Sequence, residues 1–298
     1  MPIYILIALF IFGVASQLIP QLPNDLYKKI NKFIIFIPLP AITLYNIPKL
    51  DISKAVLLPI LSAWITFFGA ILFFMLIAKK ANLTKATIAC LILSCGLGNT
   101  SFVGFPILTQ LYDASAIQYA IFVDQPGSFL IMSTLGVLVA NYASTGNINI
   151  KIIFKKLFSF PPFICFIIAL FLSKNTIPSN IDVYLKAIGS LMIPLAMLSL
   201  GMQFKLNFKT IPWKKFLIGV SYKLVIAPLV IYILYIFILQ QDTFANRISV
   251  IECAMPPMIT SSIIASEHGL DEDLAAVLPT LGILCSLPTL LVWKFILG

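Results

Sequence analysis

The sequence is short of charge. Aspartate, glutamate, lysine and arginine make up 10% of its 298 residues, against 60% hydrophobic residues and a mean hydropathy of +1.03. A soluble domain of this length needs a far larger polar surface, so that class is excluded. Histidine occurs once, at His268, which removes histidine-based nucleophile pairs and zinc sites within the apolar runs. The five cysteines, Cys90, Cys95, Cys165, Cys253 and Cys285, fall in apolar runs without paired ligand spacing. They read as small packing residues, and the chain is expected to need no cofactor. Long polar segments are missing too, the longest lying around "NYASTGNINIKIIFKK", so no extramembrane domain fits. The first apolar run begins almost at Met1, without a basic lead-in or a small-residue cleavage site. It is expected to be a retained span.

What the sequence has is a succession of apolar runs of bilayer length, about 20 residues. Ten spans are expected, at about 3–22, 31–47, 56–78, 86–111, 115–140, 157–173, 183–203, 213–239, 246–268 and 273–297. The chain thus reads as an all-α polytopic protein embedded in the lipid bilayer of the cell membrane, plasma or bacterial inner. The net charge of +9 does not signal nucleic acid, because the lysines sit in small groups between spans, as topology signals do. With the N-terminus outside, inner loops hold thirteen lysines: Lys28, Lys29, Lys32, Lys79, Lys80, Lys85, Lys151, Lys155, Lys156, Lys205, Lys209, Lys214 and Lys215. The outer side keeps six cations: Lys49, Lys54, Lys174, Lys186, Arg247 and Lys294. Both termini are therefore expected outside, although the last inner loop, "SEHGLDEDL", is acidic.

The basic loop at 142–156 divides the chain into blocks of five spans, 1–141 and 157–298. "IALF", "IP" and "IPL" at 7, 19 and 37 recur in order at 168, 177 and 193. An odd number of spans per block inverts the second relative to the first. Inverted repeats with broken helices at matching places are the sequence pointer to a secondary transporter.

Such breaks are present. "CGLGNTSFVGFPIL" in span four carries Gly96, Gly98, Gly104 and Pro106, and "CAMPPMITSS" in span nine carries Pro256 and Pro257. Glycine weakens a helix and proline removes a backbone donor. Both breaks fall near the middle of their spans, where unpaired backbone is tolerated only against a polar cavity or within protein. If the spans cross there, the second half-helices aim N–H groups at an anion and the exposed carbonyls suit a cation. Asn99, Thr100, Ser101, Thr260, Ser261 and Ser262 would add polar contacts.

Three ionisable residues lie within spans: Asp124, Lys223 and Glu252. Each costs about 2.5–3.5 kcal/mol at a helix centre, so each is expected to face inward and find a partner. One reading is a structural salt bridge of Lys223 with Asp124 or Glu252. The other is a coupling site, since the trio sums to minus one and a proton or sodium ion would neutralise it. Glu252 leads that reading, one turn before Pro256, and Gln125 and Pro126 mark a further irregularity beside Asp124. His268 with Glu267, Asp271, Glu272 and Asp273 lacks metal-ligand spacing and fits the N-terminal dipole of span ten.

"GLGNTSFVGFPIL", "IPLAMLSLGMQF" and "ECAMPPMITSSIIASEHGLDEDLAAVLPTLGILCSLPTL" resemble the auxin efflux carrier family. The resemblance implies ten helices in two inverted five-helix repeats. Spans one, two, six and seven would form a scaffold, and spans three to five and eight to ten a transport domain in which four and nine cross. It matches Asn99 to a crossover asparagine at the substrate carboxylate, and Pro256 or Pro257 to the crossover proline. The second crossover asparagine of the plant carriers has no counterpart at Met258 to Ser261. "IECAMPP" is also similar to a segment of the more distant bile acid sodium symporters, which implies sodium at Glu252 and Ser101. The expected function is secondary transport of a small organic anion, with Asn99, Thr100, Ser101, Pro106, Pro256, Pro257, Thr260 and Ser261 binding substrate. Glu252, Asp124, Lys223 and Gln125 would carry proton or sodium coupling, and a homodimer is a further expectation. The alternatives are a channel or ligand sensor on the same fold, and an intramembrane enzyme using Glu252 with Asp124.

Overall fold

Where the sequence supplies about 20 apolar residues without clustered glycine and proline, the chain runs as long helix, because in lipid a helix satisfies its backbone internally. A computed structural model describes residues 2–23, 25–50, 56–144, 159–172, 177–204 and 211–298. Most of the basic linker, with Lys151, Lys155 and Lys156, lies outside the described residues, as do Lys54, Lys174, Lys205 and Lys209. Among the described residues the elements are α1 (Ile3–Ser16), α2 (Leu26–Lys49), α3 (Leu57–Ala81), α4 (Lys85–Gly96), α5 (100–111) and α6 (Ala116–Ser144). They continue as α7 (Pro161–Phe171), α8 (Ser179–Gln203), α9 (Trp213–Ile238), α10 (Phe244–Cys253), α11 (Ile259–Glu267) and α12 (Glu272–Leu297). No strand is found among them. Six helices, α2, α3, α6, α8, α9 and α12, are long and apolar enough to cross a membrane.

Among the described residues twelve helices stand where ten spans were expected, because the fourth and ninth are each split, into α4 and α5 and into α10 and α11. One span is shorter than expected. The first ends at Ser16, whose hydroxyl donates back to the Gly13 carbonyl (2.7 Å) just before Pro20 and Pro23. Among the described residues the sixth is helical over Pro161–Phe171. The second is longer, since the lysine-bearing stretch from Leu26 is helical with one apolar face; it bends at Ile37, ahead of Pro38.

The chain divides into two compact units. The first takes the described residues within 1–53, 101–121 and 156–204. There α1 packs on the second half of α8, and α7 packs on the second half of α2. Each half of α2 lies against the opposite half of α8. Gly13 and Gly201 let the backbones of α1 and α8 touch, since a Cβ on Gly201 would meet the Phe10 carbonyl oxygen. Gln17 Nε2 fastens the same contact, donating to the carbonyls of Gly201 and Phe204 (both 3.0 Å).

The second unit takes the described residues within 54–100, 122–155 and 205–298. It contains α3, α4, the later part of α6, α9, α10, α11 and α12. Buried aromatic heads tie α9 to its neighbours through backbone carbonyls: Tyr222 Oη donates to Thr66 O (2.5 Å) and Tyr235 Oη to Leu58 O (2.7 Å). Trp293 Nε1, on α12, donates to Leu224 O (2.9 Å). Wider π-helical turns interrupt α6 at Asp124–Phe129 and α9 at Tyr222–Ile226. These turns carry Asp124 and Lys223 into the unit's interior.

Candidate functional site

The chain leaves helical geometry after Gly96, where Leu97 is extended (φ −120, ψ 144), and again after Cys253, where Met258 is extended (φ −69, ψ 125). The two interruptions meet. Gly98 and Pro257 form an antiparallel bridge, and the Asn99 N–H donates to Pro256 O (2.9 Å). In return the Met258 N–H donates to Ser94 O (3.1 Å) and Leu97 O (3.3 Å). Ser262 Oγ on α11 adds a bond to Ser94 Oγ on α4 (2.9 Å). Backbone groups that two prolines and two glycines release from helix are thus consumed by the opposite break, as buried backbone requires. Close approach dictates the glycines: a Cβ on Gly98 would lie 3.0 Å from Lys223 Nζ and 3.3 Å from the Glu252 carbonyl, and one on Gly282 of α12 would lie 2.6 Å from Pro257 Cδ.

Charge gathers beside this crossing. Glu252, in the last turn of α10, is fully buried, and neither carboxylate oxygen has a hydrogen-bond partner. Lys223, also buried, donates from Nζ to the Cys253 carbonyl (2.8 Å), one of the unsatisfied carbonyls at the C-terminal end of α10. Asp124 Oδ1 accepts from Thr100 Oγ1 (2.5 Å). Asn99 is buried and its Nδ2 has no acceptor. A cavity lined by Gly96, Gly98, Thr100, Ser128, Lys223 and Glu252, among others, offers about 10 Å³ to the centre of a water molecule. That is room for about one water.

The paired broken helices thus meet beside a carboxylate and an amide nitrogen that are buried and unpartnered. The sequence model of the family described as membrane transport protein matches residues 1–294. The chain belongs to the membrane transport protein family. This is the family of the auxin efflux carriers, and the resemblance read from the sequence is correct. A protein of Methanothermobacter thermautotrophicus named "uncharacterized transporter" is 24% identical over 297 residues, covering 98% of this chain and 96% of its own. A Methanocaldococcus jannaschii protein with the same description is 28% identical over 306 residues, covering 99% of this chain and 97% of its own.

Within this membrane transport protein family member, Asn99, Thr100, Asp124, Gln125, Lys223, Glu252, Pro256, Pro257, Thr260 and Ser261 all belong to the second unit, whereas Ser101 and Pro106 belong to the first. Thr260 is exposed on α11, and Ser261 turns its hydroxyl back to Met258 O (3.1 Å). Gln125 is buried in the π-helical turn after Asp124, where Trp64 Nε1 donates to Pro126 O (3.1 Å). Lys223 forms no ion pair with either acid among the described residues, its partner being a backbone carbonyl. Sequence reading missed Gly282 and Ser94. Ser94 had a visible signal, as the polar residue before one break facing the serines after the other.

The acidic stretch 267–273 does different work. His268 Nδ1 lies 2.8 Å from Ile264 O. Asp271, at the start of α12, accepts from Thr87 Oγ1 (2.5 Å) on α4 and pairs with Lys215 Nζ (2.8 Å) on α9. Burial pushes the Asp271 carboxyl upward, but Lys215 and Thr87 outweigh it and hold the group below its usual range. Among the described residues no group of three or more histidine, cysteine, aspartate or glutamate side chains is placed to hold a metal ion.

Proposed function

We propose that this chain is a secondary active transporter of a small organic anion, a carboxylate, working by alternating access at the crossing of the two breaks. The observation that carries the reading is the reciprocal pairing of the breaks, with the Asn99 amide buried beside it and lacking an acceptor. A carboxylate supplies that acceptor, and the N-terminal ends of α5 and α11 add favourable dipoles. The inverted-repeat reading is supported by the first unit. There α1 meets α8 as α7 meets α2, and each half of α2 meets the opposite half of α8. In this reading the bundle of α1, α2, α7 and α8 is the scaffold, α3 to α6 and α9 to α12 form the transport domain that moves, and the fourth and ninth spans each comprise two half-helices.

Glu252 holds the coupling proton. A buried carboxylate without donors has a place for one, and Asp124 and Lys223 both act on it electrostatically. The full chain reconstituted in liposomes should take up a labelled mono- or dicarboxylate saturably, show counterflow, and respond to an imposed pH gradient. Glu252→Gln should keep counterflow and lose the response to the gradient. Uptake by Glu252→Gln with an unchanged gradient response would remove the coupling role, and ohmic single-channel currents would replace the carrier with a channel.

A further inference from the structure

A helix that ends inside a membrane exposes carbonyl oxygens carrying partial negative charge, and a carboxylate beside that end completes a site for a small cation. The end of α10 has this composition. The Cys253 carbonyl belongs to its last residue, and Glu252, one residue earlier, has two buried oxygens without partners. A dissociable sodium ion would be the ordinary occupant. Here Lys223 Nζ stands on the Cys253 carbonyl, and it lines the same small cavity as Glu252. A hard ion needs several oxygens around it, and a second cation in this space would be repelled by the first. The residues therefore do not fit sodium.

We infer that Lys223 is a tethered cation that takes the place of a dissociable alkali ion at the half-helix end, so that this site works without sodium. Gly98 belongs to the arrangement. Any larger residue would push a Cβ to within 3.0 Å of the ammonium, and the π-helical turn Tyr222–Ile226 brings the lysine into the interior. The inference rests on the transport reading for its purpose but not for its chemistry. Covalent attachment gives the cation a permanent local concentration and frees transport from a sodium gradient.

The test uses the purified full chain in detergent. Thermal unfolding is followed while sodium chloride replaces choline chloride at constant ionic strength. Wild type should show no saturable response. Lys223→Ala should be less stable in choline and gain a saturable upward shift of a few degrees with sodium or propylammonium, an effect absent from Lys223→Ala/Glu252→Gln. Lys223→Gln separates a cation from a mere hydrogen-bond cap. If a neutral donor on the Cys253 carbonyl restores wild-type stability, the cation role is wrong. A saturable sodium shift in wild type that Glu252→Gln abolishes would overturn the inference, as would a folded Lys223→Ala indifferent to every cation. Should Lys223→Ala fold only when extracted in sodium or propylammonium, the inference stands; if it folds in neither, while Lys223→Gln folds in choline, the inference fails. Carboxylate protection measured in the same wild-type sample separates the two claims, since its absence would sink the transport reading and leave the cation result intact.

Discussion

A single methyl group at Gly282 tests the packing behind the crossing without touching a polar atom of it. The Cβ of Gly282→Ala would lie 2.6 Å from Pro257 Cδ and 3.1 Å from Cγ, where carbon atoms prefer about 3.5–4.0 Å. Pro257 cannot swing aside, because its ring is closed on the backbone and that backbone is bridged to Gly98. Alanine in a helix gains about 1 kcal/mol over glycine, and overpacking a well-filled site costs about 1–3 kcal/mol. The net expectation for Gly282→Ala is a loss of up to about 2 kcal/mol. Gly136→Ala is the matched control, since its Cβ would meet nothing closer than the end of Leu93 at 3.4 Å and the Ile131 carbonyl oxygen at 3.5 Å, both ordinary contacts. It should keep the helical gain, so the two variants should differ by about 1–3 kcal/mol, or about 2–4 °C of melting temperature per kcal/mol in a chain of this size. Thermal unfolding of both in one detergent at one scan rate measures the difference. A Gly282→Ala protein as stable as Gly136→Ala would refute the close approach of α12 to the crossing.

Two further outcomes follow from the polar contacts. Asp271 has a depressed carboxyl value in the folded chain, so its stabilising contribution is present above about pH 4 and is lost as pH falls through the folded value. The stability advantage of wild type over Asp271→Asn should therefore be constant near neutrality and shrink below about pH 4, as thermal unfolding across pH will report. Thr100→Val removes the donor to Asp124 and should cost about 0.5–3 kcal/mol, the range that spans hydrogen bonds to neutral and to charged groups. Thr100→Ser, which keeps the hydroxyl, should recover most of that loss in the same assay.

The breaks were legible because glycine and proline act through the backbone alone, so their position in an apolar run predicts where helix must stop. Their pairing was legible because two breaks at corresponding places each need partners for the donors and acceptors they release. The partner of Lys223 was not. Sequence reasoning offers side chains of opposite charge, whereas the lysine found a carbonyl, and every residue has one. Nor do apolar letters show the π-helical turns at Met132–Gly136 and Ile233–Ile238, where no proline marks the change, in contrast to Pro126 beside Asp124. Gly282 was silent for a related reason: a lone glycine in a helical run reads as tolerated until the ring it faces is known.

The central claim is that the meeting of the two breaks is a carboxylate site. Its most direct measurement is the shift in melting temperature of the full chain across a panel of mono- and dicarboxylates, for wild type and Asn99→Ala, with pH varied. At least one carboxylate should protect wild type saturably and leave Asn99→Ala unprotected, while uncharged analogues of the same size protect neither. Equal protection of both proteins, or none by any carboxylate at any pH, would contradict the account.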